Sequence, residues 1–412
     1  MNITFQLLSN LEEKYGDPLY FLNIDKLKGN YLWLLNAFRK IYPNTHIAYS
    51  YKANYLPIIC KTLDGIGALA EVVSGMEYNL ARRVGVLAEN IVFNGPCKSF
   101  SDIQRALLEG ATVNIDSPYE IDLIRKTAEQ YPDKKFRVGI RCNLKFSKDA
   151  ISRFGLDIQE KNFIEVFKCI SAIKNCRITG LHCHFISDER TVEFYSEISL
   201  QMLSLAKKLF QSTAPEFINL GGGFFSNMGN ILKNQFPYSI PTFEEYASAI
   251  APHFARTFPG HGPPKLILEP GLALVADAMK FTAKVIDIKR VQKRWIALLS
   301  GSIYNIKPTK SNRMLPITIL SDESHFSERV NEKFDLVGYT CMEDDIMFSG
   351  YNGVLKVGDY VLFDNVGAYT IALKPPFILP CPSVLSYYSD NGLFEIAKRP
   401  ETFADIFSTY IF

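Results

Sequence analysis

The sequence predicts an α/β protein: a (β/α)8 barrel of the TIM type followed by a C-terminal β domain. Three observations carry this. Short runs of β-branched and apolar residues alternate with stretches of helical periodicity through the first two thirds of the chain, the pattern of βα units. Eight such runs occur, each near-continuously apolar and each separated from the next by room for a crossover helix, as barrel strands buried on both faces require. Beyond about residue 275 the texture changes to strand-like runs with no convincing helices between most of them. A doubly wound sheet is the alternative to the barrel.

In chain order, segment 17–23 is strand-like and precedes a first helix over 24–41, so it is expected to pair with the β domain. Barrel strands are predicted over 46–52, 67–74, 91–96, 112–116, 136–142, 178–185, 217–223 and 265–271. Helices are predicted over 56–63, 76–83, 100–108, 119–129, 162–173, 192–210 and 243–258, with Ser99, Ser117 and Thr242 as N-caps for three of them. In the β domain the runs 281–288, 295–299, 316–320, 334–339 and 360–364 read as strands, and 236–241 and 258–264 are turn-rich loops. The expected division is 1–23, 24–275 and 276–412.

Composition narrows the function classes. A chain of 412 residues with 47% hydrophobic and 21% charged residues is an ordinary globular protein with a large core. Its 45 Lys and Arg against 43 Asp and Glu leave +2, too even a balance for binding a polyanion along the surface, so no nucleic acid is expected. Eight cysteines without CxxC pairs read as reduced thiols. The first residues lack the features of a secretory leader and no run has the length of a membrane span, so a soluble, cytoplasmic protein is expected.

Function in such a barrel gathers at the C-terminal ends of the strands. The first strand ends at Lys52, an amine that desolvation can make nucleophilic, although by itself it reads as a surface lysine. The sixth ends in His182-Cys183-His184, whose alternation points both imidazoles to one side. With six histidines in all and no third ligand grouped nearby, a ring-stacking or hydrogen-bonding role is preferred to a metal. The seventh runs into Gly221-Gly222-Gly223, which either closes backbone N–H groups around a phosphate or makes a tight turn. The eighth ends in Glu269-Pro270-Gly271, a buried acid that needs a cationic partner. Together an amine, a phosphate loop, an imidazole and a buried carboxylate describe a site for pyridoxal 5'-phosphate.

At this point the residues resemble a known family, the fold-type III pyridoxal-phosphate decarboxylases of the ornithine and diaminopimelate decarboxylase group. The resemblance spans nearly the whole chain. It is carried by Tyr51-Lys52-Ala53-Asn54, by Glu71 to Glu77, by Ser152-Arg153-Phe154-Gly155, by the strand containing His184, by Leu220 to Gly223 and by Glu269-Pro270-Gly271. In the β domain it is carried by Cys341-x-x-x-Asp345, Gly358-Asp359 and Gly367-Ala368-Tyr369. The resemblance implies that Lys52 carries the cofactor as a Schiff base, with Glu71 nearby, His184 stacks on its ring, and Glu269 pairs with its pyridine nitrogen. It implies that Ser187, Gly221 to Gly223 and Tyr369 hold the phosphate and that Arg141 lies on the hydroxyl side. It also implies a homodimer with shared sites, in which Cys341 reaches the partner's cofactor and returns a proton to the substrate carbon after CO2 leaves. Racemases of similar architecture typically have arginine at the pyridine nitrogen, so Glu269 favours the decarboxylase branch.

Four positions depart from the family pattern. Leu272 follows Glu-Pro-Gly in place of arginine, Met342 follows Cys341 in place of Asp or Glu, Glu71 replaces aspartate, and Ile186 replaces the glycine before Ser187. The first two remove a guanidinium and a carboxylate from places where relatives grip the far end of a diamine or diamino acid. Lys307 and Arg313 are expected to supply a compensating carboxylate contact, and Leu272, Lys307, Arg313, Met342 and Asp345 are the candidate substrate-binding residues. The expected activity is therefore decarboxylation of an amino-acid group on a conjugated or non-standard substrate of specialised metabolism. The alternatives are a diaminopimelate or basic amino-acid decarboxylase and a catalytically silent homologue that binds a partner.

Overall fold

The eight apolar runs form one closed parallel sheet in the computed structural model, which describes residues 1–145, 152–185, 190–211, 213–260, 262–322 and 329–412. Around the ring the strands are Thr45–Ser50, Leu69–Val72, Ile91–Phe93, Thr112–Ile115, Phe136–Asn143, Cys176–His182, Phe217–Asn219 and Lys265–Leu268, the last returning to Thr45–Ser50. Pairing of Thr112–Ile115 with Phe136–Asn143 completes the ring and decides between barrel and doubly wound sheet. A two-residue strand, Leu156–Asp157, adds to the edge of Phe136–Asn143. Side chains such as Ile47, Val72, Phe93, Val113, Ile140, Leu181, Ile218 and Leu266 are fully or almost fully buried, each worth roughly 1.5–3 kcal/mol of apolar transfer. These side chains alternate with the set that faces into the ring, where Ala48, Val92, Phe217 and Ile267 form a buried cluster below the strand ends.

Helix ends follow local chemistry. Ser99 and Thr242 cap their helices in full capping boxes, with Asp102 and Glu245 reaching back to the cap N–H groups. Ser117 does not cap: the helix Tyr119–Gln130 starts from Pro118, because the Glu120 carboxylate already accepts the N–H groups of Asp116 and Ser117.

The chain divides into two units. One comprises Lys28–Phe225 and Ile240–Ala273, and the other Met1–Leu27, Ser226–Ser239 and Leu274–Phe412. In the second unit Leu19–Asn23 is an inner strand, antiparallel to Met279–Val291 and parallel to Ser383–Tyr388. Segment Ser226–Ser239 lies between barrel strands in sequence, yet it groups with this β unit. Its Gln235 amide exchanges two hydrogen bonds of 2.8 Å with the Met314 backbone, and Phe236 lies under the Arg313 guanidinium. Three strands escape the apolar-run criterion: Ile346–Leu355, Ser383–Tyr388 and Leu393–Lys398. The first contains Gly350, Asn352 and Gly353, residues that read as a turn, and pairs antiparallel with Val330–Val337 through register shifts. Among the described residues no helix is long and apolar enough to cross a membrane.

Candidate active site

Lys52 is not on a strand but on a 3-10 turn, Tyr51–Ala53, that follows Thr45–Ser50. Gly271 makes room for this turn, since a Cβ there would stand 2.7 Å from the Cβ of Ala53. The Lys52 ammonium meets Glu71 Oε2 at 2.6 Å, and the Ser50 hydroxyl donates to the same oxygen at 2.6 Å. Glu71 is fully buried at the end of the neighbouring strand. The lysine is thus held half-buried against an acid.

A single amide joins that ion pair to Glu269. Asn94 Nδ2 donates to Glu71 Oε1 at 3.0 Å and to Glu269 Oε1 at 2.8 Å, while its own oxygen accepts from Asn114 at 2.8 Å. Asn219 Nδ2 donates to Glu269 Oε1 at 2.6 Å, and His182 Nε2 lies 3.2 Å from Glu269 Oε2. Burial alone would raise the Glu269 carboxyl. The contact with His182 and the charge of Lys52 outweigh it and hold the group well below the usual carboxylate range. Glu269 is an ionised acid in a dry place.

Asn219 also fixes the glycine loop, its oxygen accepting the Gly221 N–H at 2.9 Å. Gly221 and Gly223 have φ of 69° and 98°, and a Cβ on Gly222 would lie 2.0 Å from the Glu269 carbonyl, so the loop closes over the end of the eighth strand. His184 Nδ1 accepts the Gly222 N–H at 3.0 Å. Burial first, then the Lys52 charge, push His184 down to about 3, so its ring is neutral with Nδ1 as acceptor. Arg141 donates to Asp116 at 2.7 Å and to the His184 carbonyl at 3.2 Å, which ties it to the backbone that carries the imidazole. Ser187 and Ile186 lie outside the described residues.

The remaining candidates, Leu272 apart, belong to the β unit. Cys341 and Met342 are exposed on a loop closed by Asp345. Buried Asp345 accepts from the Ile303 N–H at 2.7 Å and from the Thr340 N–H and hydroxyl at 3.1 and 2.7 Å. Its carboxylate holds the loop through these bonds. Lys307 is likewise bonded within its own loop. Its ammonium donates to the carbonyls of Ser311 and Arg313, and burial lowers its pKa. Arg313 stacks on Phe236 with its guanidinium carbon 3.8 Å from the ring centroid. Tyr369 has a left-handed φ of 59°, two residues beyond Gly367, whose N–H donates to the Ala276 carbonyl. Leu272 is half-buried at the start of the short helix Leu272–Val275.

Sequence reasoning missed Ser50, Asn94, Asn114 and Asn219, which join the barrel groups to one another. The signal was present: each is a polar residue within one position of the C-terminal end of an apolar barrel strand.

The ring of strands and its mouth therefore define a class: a barrel enzyme with a paired amine, a buried anionic carboxylate, a neutral imidazole and a glycine loop. These fit pyridoxal 5'-phosphate. An amine is available for the aldehyde, an ionised acid for a protonated ring nitrogen, and the Gly223 N–H has no partner among the described residues. The chain belongs to the pyridoxal-dependent decarboxylases, whose pyridoxal-binding domain matches residues 33–276, and pyridoxal 5'-phosphate is its cofactor. It is a carboxy-lyase. It is 28% identical to the diaminopimelate decarboxylase of Methanocaldococcus jannaschii over 96% of this chain and 91% of that protein. It is 25% identical to the L-glutamyl-[BtrI acyl-carrier protein] decarboxylase of Niallia circulans over 100% of this chain and 97% of that one. The crystal structure of the Methanocaldococcus enzyme superposes with a TM-score of 0.87 at 27% identity, covering 98% of this chain and 94% of that structure.

Proposed function

We propose that the protein decarboxylates an amino-acid group carried on a larger molecule, a carrier-bound or otherwise conjugated precursor of specialised metabolism. Met342 carries this reading. An exposed thioether follows Cys341, where the resemblance places an acid in relatives that bind a distal amine. Two acids further along the loop are engaged elsewhere, Asp344 by Lys310 and Asp345 by Thr340 and Ile303. Leu272 is likewise uncharged. Whole-length similarity to a decarboxylase named for a glutamyl group on an acyl-carrier protein supports the same reading. The second reading, a diaminopimelate decarboxylase, is favoured by the name of the Methanocaldococcus relative.

The bound cofactor supplies an electron sink for the electron pair left when CO2 departs. The residues do the rest. Lys52 holds the cofactor through its amine, with Glu71 as counter-ion. Glu269 keeps a proton on the ring nitrogen, which an ionised acid does and a neutral one does not. His184 lies against the ring, its orientation fixed by the Gly222 N–H. Arg141 would face the cofactor's hydroxyl, and the glycine loop would meet its phosphate through the Gly223 N–H. The Cys341 thiol, reaching the partner's site in a homodimer, returns the proton to the substrate carbon.

The test is mass spectrometry of products from a panel of free and conjugated amino acids. Loss of one CO2 from a conjugate, at a higher kcat/KM than from ornithine, lysine or meso-diaminopimelate, is the expected result. If meso-diaminopimelate is the best substrate, the second reading replaces the first. Mixed Lys52→Ala and Cys341→Ala subunits regain partial activity if the sites are shared.

A further inference from the structure

We propose that Arg190 is a cofactor-binding residue that meets the phosphate at the glycine loop. The inference rests on the pocket being the cofactor site and adds a residue that neither the motifs nor the family match assigns.

The loop by itself is short of donors. Of the three glycine N–H groups, Gly221 gives its hydrogen to Asn219 and Gly222 to His184. That leaves the Gly223 N–H, a neutral group, against a phosphate ester carrying close to two negative charges at neutral pH. Other cations around the mouth are committed: Lys52 to Glu71, Lys98 to Glu120 and Arg141 to Asp116. Leu272, just beyond the eighth strand, brings no charge.

Arg190 is placed to supply it. The residue stands just before Thr191, the N-cap of the helix Val192–Phe210, and is half-buried. Its guanidinium lies over the ring of Phe225, 5.1 Å from the centroid, two residues past the glycine triplet. Among the described residues no carboxylate pairs with it.

Its backbone is anchored to the same aromatic cluster that backs the loop. The Tyr246 hydroxyl donates to the Arg190 carbonyl at 2.6 Å. Tyr246 packs edge-on against Tyr195 and Phe224, and the Tyr195 hydroxyl donates to the Gly222 carbonyl at 2.9 Å. Loop and arginine are therefore positioned by one set of rings, and the Phe225 face holds the guanidinium while leaving its N–H edge available for bidentate contact with an oxyanion.

The experiment compares apo protein binding pyridoxal 5'-phosphate and pyridoxal, which lacks the phosphate, by absorbance titration. Arg190→Gln is expected to weaken the phosphorylated ligand about 10- to 100-fold, the worth of a charged hydrogen bond, and to leave pyridoxal within about twofold. Arg190→Lys, which keeps the charge, is expected to retain most of the affinity. An unchanged affinity in the Gln variant, or an equal loss for both ligands, would overturn the role of Arg190. Should the Gln variant not fold, Arg190→Met keeps the stem on Phe225 and is read in the same way. Wild-type protein that takes up neither ligand overturns the reading of the pocket itself.

Discussion

The mouth of the barrel and the 340–345 loop of the β unit both hold residues assigned to the chemistry, but they are built by opposite means. In the barrel each functional group is the partner of another: Lys52 meets Glu71, Asn94 joins Glu71 to Glu269, and Asn219 joins Glu269 to the glycine loop. In the loop a single structural acid, Asp345, carries the geometry and leaves Cys341 and Met342 exposed. A change in the barrel network strands buried partners, and such losses are costly. A change at Met342 strands none, so the loop is where specificity can vary without loss of the site.

The largest effect is expected at the amine. Lys52→Ala should lower kcat/KM at least about a thousandfold, and borohydride reduction should no longer fix cofactor mass to the peptide containing residue 52. Labelling of another lysine in the wild type would break the assignment. Glu269→Gln should follow, with kcat down about 10²- to 10³-fold while cofactor affinity changes less. The amide cannot hold a proton on the ring nitrogen and turns a donor toward groups that already donate. Wild-type kcat in this variant would contradict the network.

A third prediction sets one unit against the other through pH. Burial raises Glu77 in the barrel unit to about 7 and Asp17 in the β unit to about 6, from ordinary values of 4.5 and 3.8. Both folded-state values lie above the unfolded ones, so the folded protein binds more protons in between and stability falls as pH rises. For Glu77 the decline runs from about pH 4.5 to 7 and reaches about 3 kcal/mol. Glu77→Gln should flatten it in thermal melts across that range. Asp17→Asn should act in the lower window, from about 3.8 to 6. An unaltered slope in either variant would show that the acid is already ionised in the folded protein. The smallest effect belongs to the loop: Met342→Glu should raise kcat/KM for lysine or ornithine about tenfold, with no change in melting temperature beyond about 0.5 kcal/mol equivalent. A large stability loss there would erase the contrast between loop and barrel.

Several features were legible because they are local. A strand buried on both faces is a continuous apolar run, a capping box is a four-residue pattern, and a glycine triplet after a strand has few uses. Lys52, His184, Glu269 and Gly221 to Gly223 could be singled out because a parallel barrel brings all its strand ends to one face, whatever their distance in sequence. Residue type alone does not show which group a polar side chain bonds. Lys307 and Asp345 have the residue types of a ligand grip, yet nearby loop carbonyls in one case and loop donors in the other take up their polar groups.

By itself the sequence determined the alternation of strands and helices through the first two thirds and the identity of the groups that can react, because hydrophobic period and residue chemistry are written position by position. Only the tertiary structure decided which of those groups touch. Asn94 lies 175 positions from Glu269, and Tyr20 reaches across 285 positions to the Asn305 carbonyl. Such contacts are set by strand register and closure of the sheet, where a shift of one residue turns every side chain to the other face. No window of neighbouring residues contains that information.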